Sequence, residues 1–156
     1  MNVKVLIREA VGEDIEPCAQ LIAQQETEDV ETWRQRFEEN LQDANRQFLV
    51  ALHDERVIGY GHTVHYFRPE DASLATSPSG YFLSGLLVAP NYRRDGVGTG
   101  LTIARLDVLR GLTDEVFYVA DPANIATIEL HRRLGFVELR SFERDQKRVL
   151  LFRLGT

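Results

Sequence analysis

Residues 81–101 read Tyr-Phe-Leu-Ser-Gly-Leu-Leu-Val-Ala-Pro-Asn-Tyr-Arg-Arg-Asp-Gly-Val-Gly-Thr-Gly-Leu, and the stretch Arg93 to Thr99 has the residue types and spacing to hold a phosphate group. The apolar run Tyr81 to Val88 reads as a buried strand that stops at Pro90. After the glycines at 96, 98 and 100, Leu101, Ala104, Val108 and Leu112 fall at helical spacing. A strand feeding a glycine-rich turn at a helix N-terminus lets backbone N–H groups approach an anion closely, and the helix dipole favours negative charge there. Tyr92-Arg93-Arg94 adds guanidinium groups, and no acidic residue enters the helix until Asp107. The loop lacks the Lys-Ser/Thr that ends a Walker A motif and is not Gly-x-Gly-x-x-Gly. A tight turn with no ligand would also use Gly96 and Gly98; the arginines and the acid-free helix start favour the anion.

Downstream, Asn124-x-x-Thr127-x-x-Leu130-His131-Arg132-Arg133-Leu134-Gly135-Phe136 places an Asn seven residues before His131 and closes on Gly-Phe. Together with Arg93-x-x-Gly96-x-Gly98, in this order and separation, it resembles the signature of the GNAT (Gcn5-related) N-acetyltransferases. That resemblance implies attack of a neutral amine on the acetyl-CoA thioester. It would place Arg93, Arg94, Asp95, Gly96, Val97, Gly98 and Thr99 at the pyrophosphate, with the N–H groups of Arg94, Gly96, Gly98 and Thr99 facing it. Main-chain groups of Leu86, Leu87 and Val88 would hold the pantetheine and the thioester carbonyl; Leu86 to Val88 also suit a plain core strand. Asn124 and Thr127 would contact the pantetheine arm, or Asn124 would merely cap its helix.

Two departures from the family pattern concern the proton chemistry. Many members carry a Tyr four residues before the Gly-Phe glycine to protonate the departing thiolate, where this chain has His131. An imidazole with a pKa near ~6.5 can deliver a proton, and as imidazolium it stabilises a thiolate. A half-buried histidine with no chemical role is the competing reading, since direct attack in an organised complex needs no dedicated acid. Second, where some members have a Glu early in the central strand, Phe82, Leu83 and Ser84 stand here. The substitute bases are His62, His65, Tyr81, Ser84 or a water relayed by them. His62 and His65 are three apart on a strand, so they point to opposite faces and form no metal pair. No metal is expected.

The elements that position these groups follow from periodicity and punctuation. Val3 to Ile7 reads as a strand, Asp14 to Gln25 and Glu31 to Leu41 as helices, and Gln47 to Leu52 with Val57 to Phe67 as a hairpin around residues 53–56. A long loop from Arg68 to Gly80 is expected to be functional or mobile. Past the central strand and the helix Gly98 to Arg110 comes a strand at Glu115 to Ala120. Asp121-Pro122 signals a helix that runs to Leu134 and stops at Gly135. Phe136 to Phe142 and Arg148 to Leu154 complete an antiparallel pair. The order β-α-α-β-β-β-α-β-α-β-β predicts an α/β fold, a mixed central sheet flanked by helices, as the GNAT fold would be. One domain, residues 1–156, is expected.

Composition narrows the class. A net charge of -6 argues against nucleic-acid binding. The acids concentrate between residues 9 and 43, opposed there only by Arg34 and Arg36, either as a solvated face or as an acidic approach for a cationic acceptor. No apolar run approaches a membrane span, and the start reads as a strand rather than a signal peptide. Cys18 is the only cysteine, which suits a reducing cytoplasm; in an amphipathic helix it reads as a small buried hydrophobe. The expectation is an acetyl-CoA-dependent N-acetyltransferase acting on a small amine, of the small-molecule or aminoglycoside-like bacterial kind, with a homodimer allowed. The rivals are an acyl-CoA-binding domain without catalysis, a different acyl donor, and a protein or peptide amine.

Overall fold

A computed structural model describes residues 4–155. Among them are strands β1 (Leu6–Glu9), β2 (Arg46–His53), β3 (Arg56–Tyr66), β4 (Gly80–Val88), β5 (Glu115–Ala120), β6 (Val137–Arg144) and β7 (Lys147–Gly155). The helices are α1 (Ile15–Ala23), α2 (Val30–Gln42), α3 (Val97–Arg110) and α4 (Ile125–Arg133), with short 3-10 turns at Gly12–Asp14 and Pro90–Tyr92. The strands form one sheet in the order β1-β2-β3-β4-β5-β7-β6. β4 and β5 run parallel, whereas β1/β2, β5/β7 and β6/β7 are antiparallel. This is the mixed α/β sheet that the sequence predicts, in the predicted element order. By contact density the chain divides into two compact units, residues 1–63 with 85–105 and residues 64–84 with 106–156.

In the first unit, α1 and α2 bury Cys18, Ala19, Ile22 and Phe37 against Phe48, Val50, Leu52 and Tyr60 of β2 and β3. Burial, with Asp14 adding to it, pushes the Cys18 thiol up to about 12, so it is a packed hydrophobe rather than a thiolate. The strand expected at Val3 to Ile7 begins later, because β1 pairs from Leu6↔Leu52 to Glu9↔Leu49; Val3 lies outside the described residues. The hairpin between β2 and β3 turns on Asp54 and Glu55, both with positive φ (49° and 65°), the backbone that two-residue hairpins require. Several acids have cationic partners. Arg8 meets Asp14 at 2.7 Å, Arg34 holds Glu16 at 2.6 Å and also Glu31, Arg36 meets Glu28 at 2.5 Å, and Arg46 meets Asp43 at 3.4 Å. Hydrogen bonds from Arg34 and Gln20 hold the Glu16 carboxyl down at about 2.

The second unit buries both faces of β5 and of the middle of β7, while β6 is largely exposed. Leu83, Val116, Tyr118, Leu150 and Phe152 point to the face covered by Leu109 and Ile128, while Phe82, Phe117 and Leu151 point to the other. The loop before β4 is anchored: Arg140 of β6 donates to the carbonyls of Leu74, Ala75 and Thr76 at 3.4, 3.0 and 2.7 Å. The helix expected at Asp121 begins instead at Ile125. Asp121 accepts the Ala123 N–H at 2.9 Å in a local turn, and Asn124 N–H bonds back to its carbonyl, so the capping residue is Asn124.

The stripe expected on α3 is rotated. Its buried residues are Val97, Leu101, Thr102, Arg105 and Leu109, and Leu112 is 55% exposed beyond the helix end. Arg105 is 1% exposed. It donates to Leu101 O at 3.2 Å, His62 O at 3.0 Å and Thr102 Oγ1 at 3.0 Å. Its side chain lies on Gly61, where a Cβ would come within 2.9 Å of Nε. His62 itself sits among Phe48, Tyr60 and Phe37, with ring centroids 4.3, 5.6 and 5.8 Å away. Burial first, and the charges of Arg46 and Arg105 next, lower its pKa to about 3.

That shift sets an acid limb for stability. Unfolded, the imidazole returns to ~6.5 and binds a proton that the folded ring refuses. The contribution is complete above ~6.5 and is lost as pH falls towards 3. His62→Phe should reduce the slope of unfolding free energy against pH in that window by up to ~1.4 kcal/mol per pH unit, one proton's worth, as urea titrations measure. Parallel slopes for both proteins would show that His62 is protonated in the fold.

Candidate active site

The loop that the sequence offers as an anion cradle lies in the first unit. β4 ends at Val88, and Ala89 N–H donates to Ile58 O at 2.8 Å, which fixes the strand end to β3. The 3-10 turn Pro90–Tyr92 follows, and Arg93 leaves it in extended backbone. Arg94 and Gly96 then take positive φ, 72° and 81°. Nothing lies within 4 Å of a Cβ built on Gly96, so its backbone angle, not space, calls for glycine. Gly96 O accepts Gly100 N–H at 2.9 Å and starts α3. The N–H groups of Val97, Gly98 and Thr99, in the first turn, have no carbonyl one turn earlier in the helix to bond. No acidic residue lies in that turn to offset the dipole. A pyrophosphate fits this chemistry.

The positions of the remaining cradle residues differ in kind. Val97 is 3% exposed and anchors the turn in the core, whereas Arg93 and Arg94 are exposed and Asp95 is half-buried. Arg93 does not point freely at the loop. Its Nε donates to Val88 O at 3.2 Å and its Nη2 meets Gln25 Oε1. Leu86, Leu87 and Val88 are half-buried, and Leu87 packs against the aromatic core of α1 and α2. Thr102 Oγ1 donates to Gly98 O at 2.8 Å and accepts from Arg105, linking the cradle to the buried guanidinium.

Sequence reasoning missed Gly85. It has φ +60° in the middle of β4, and a Cβ there would lie 2.6 Å from His62 Cδ2. A glycine inside an apolar strand pattern is the ordinary sign of a bulge or a close approach and was there to be read.

The residues expected to move protons lie in the second unit, His62 excepted. The Tyr81 ring stacks on His65 at 4.0 Å and 13°, and His65 touches Phe67 at 4.3 Å. Ser84 is half-buried. His131 is 1% exposed and stacks face to face on Tyr118, centroids 3.6 Å apart, with Phe136 edge-on at 5.2 Å. Its Nδ1 lies 2.7 Å from Thr127 O. A carbonyl only accepts, which assigns the Nδ1 proton and leaves proton exchange to Nε2. Asn124 Oδ1 accepts from Thr127 Oγ1 at 2.8 Å, so Asn124, Thr127 and His131 are linked one to the next along α4. Among the described residues, no group of three or more His, Cys, Asp or Glu side chains is arranged to hold a metal. No described helix is long and apolar enough to cross a membrane.

Comparison with known proteins fits this geometry. The sequence matches the acetyltransferase (GNAT) family over residues 9–136, and the chain belongs to that family. It is 31% identical over 98 residues, 62% of the chain, to phosphinothricin N-acetyltransferase of Alcaligenes faecalis; the match spans 47% of that enzyme's length. The fold is similar to that of ribosomal-protein-alanine N-acetyltransferase from Brucella melitensis, with TM-score 0.76, 23% identity and coverage of 97% of this chain and 99% of that one. It is also similar to yncA from Salmonella typhimurium, solved with its cofactor acetyl-CoA, with TM-score 0.74, 20% identity and coverage of 97% and 93%. At those identities the likeness is one of fold.

The cradle should depend on the buried guanidinium. Arg105→Met removes hydrogen bonds from an ion to two buried carbonyls and a hydroxyl, so it should destabilise the chain by about 3 kcal/mol or more in urea unfolding. A loss under about 1 kcal/mol would show that these acceptors find other partners.

Proposed function

We propose that residues 1–156 act as one acetyl-CoA-dependent N-acetyltransferase domain whose acceptor is a small, cationic primary amine of the polyamine or aminoglycoside kind. The observation that carries this reading is the acid-free start of α3 behind the positive-φ residues Arg94 and Gly96. Family membership and the name of the Alcaligenes relative support the acetyl-transfer part of it. The N–H groups of Arg94, Gly96, Gly98 and Thr99 face the pyrophosphate, with Val97 anchoring the turn and the exposed Arg94 side chain adding charge. Main-chain groups of Leu86 to Val88, with Asn124 and Thr127, serve the pantetheine.

Acetyl-CoA supplies a thioester whose carbonyl carbon is open to a neutral amine: the C–N bond forms, the C–S bond breaks, and the amine's proton must leave. His62 is too weak a base at about 3 to take it, so that proton leaves through His65, Tyr81, Ser84 or water relayed by them. As an imidazolium, His131 gives the thiolate its Nε2 proton and is left as the neutral Nδ1–H tautomer, while Thr127 O keeps Nδ1 and the ring orientation fixed.

An acyl-CoA-binding domain without catalysis is the second reading, favoured by the absence of any carboxylate between Tyr81 and Val88. Continuous release of free thiol with an amine present separates the two. A screen of polyamines, aminoglycosides, amino acids and peptides should find cationic acceptors best, with KM rising as salt is added. Reaction with acidic or neutral acceptors alone would overturn the acceptor assignment.

Two substitutions test the parts. Gly98→Asp, which puts a carboxylate at the phosphates, should abolish the rise in melting temperature that acetyl-CoA gives the wild type. An unchanged rise would move the cofactor elsewhere. His131→Ala should lower kcat by about 10²-fold with acetyl-CoA affinity nearly unchanged, and His131→Tyr should retain more activity and shift the basic limb upward, towards ~10. Wild-type kcat in His131→Ala, measured where chemistry limits the rate, would make the histidine structural.

A further inference from the structure

The sequence offers Arg93 as a phosphate partner, yet its guanidinium is occupied. One prong holds the last carbonyl of β4, Val88 O, at 3.2 Å, and another reaches Gln25 Oε1, two residues past the end of α1. Gln25 is set up for this contact. It is half-buried, its N–H donates to Ile22 O at 2.9 Å, and its Nε2 donates to Leu21 O at 3.4 Å, which turns Oε1 outward. The next residues, Glu26 to Asp29, form the acidic connector that enters α2, where Asp29 caps Thr32 N–H at 2.9 Å. The planar guanidinium therefore spans the strand end beneath the cradle and the connector between α1 and α2, all within the first unit.

We propose that Gln25 is a positioning residue that, through Arg93, makes the α1–α2 connector respond to the cofactor. The inference rests on the reading of residues 93–99 as the pyrophosphate cradle. A ligand that orders the cradle fixes the Arg93 backbone, and a fixed fork holds Gln25 more of the time. The acidic connector is thereby ordered before an amine arrives, so acetyl-CoA and a cationic acceptor bind cooperatively.

Amide hydrogen exchange of the full chain with free CoA as the probe tests this without an identified acceptor. In the wild type, CoA should slow exchange at 93–99 and, by about tenfold, at 24–30, within the usual range of coupling between sites. Gln25→Leu should keep the first effect and lose the second. Gln25→Glu, which still accepts from Arg93, should restore it. If CoA protects nothing at 93–99 in the wild type, the cofactor reading fails and takes this one with it. With 93–99 protected, three results overturn the positioning role alone. They are no effect at 24–30, equal protection there in Gln25→Leu, and faster exchange there, as expected if Arg93 left Gln25 for the phosphate.

Discussion

A buried arginine organises the unit that carries the proposed anion cradle. Removing a guanidinium from water is costly unless its N–H groups are met, and Arg105 meets Leu101 O, His62 O and Thr102 Oγ1 at 3.2, 3.0 and 3.0 Å. Thr102 passes the constraint on by donating to Gly98 O. The peptide planes of the first turn of α3 are thus referred to β3, and their N–H groups are aimed before any ligand arrives. Preorganisation of this kind is what an anion site needs, since dipoles that must reorient stabilise less. Gly61 makes it feasible, because a side chain there would take the arginine's place.

The same buried network explains why His62 is packing rather than chemistry. Its carbonyl serves Arg105, its ring lies among three aromatic rings, and the nearby positive charges add to the penalty on protonation. His131 is also buried, but with one ring nitrogen bound to a helix carbonyl and a face stacked on Tyr118 it is oriented for one tautomer. Burial alone does not separate the two histidines; the hydrogen bond does.

Much of this was legible in the chain. The strand, turn and helix of residues 80–110 are written in local terms, an apolar run, then glycines and arginines, then helical spacing, so the sequence places them. The double-sided burial of β5 and β7 follows from continuous apolar runs. Arg105 was not legible, since a charged residue in an apolar helix reads as part of the exposed face, and the stripe through Ala104 and Val108 looked equally good. The start of α4 was misplaced because Asp121-Pro122 serves equally well as a cap or as a turn, and tertiary context chose the turn. Two of the acids of residues 9–43, Asp14 and Asp43, have partners that the window hid, because Arg8 and Arg46 lie just outside it.

The central claim is that the first turn of α3 and the loop leading into it bind the diphosphate through their own N–H groups. Backbone amide NMR during titration with CoA tests it most directly. The account predicts that Arg94, Gly96, Gly98 and Thr99 show the largest amide shifts and that all four saturate together. Saturable binding with those four amides unmoved, and the largest shifts elsewhere, would contradict it.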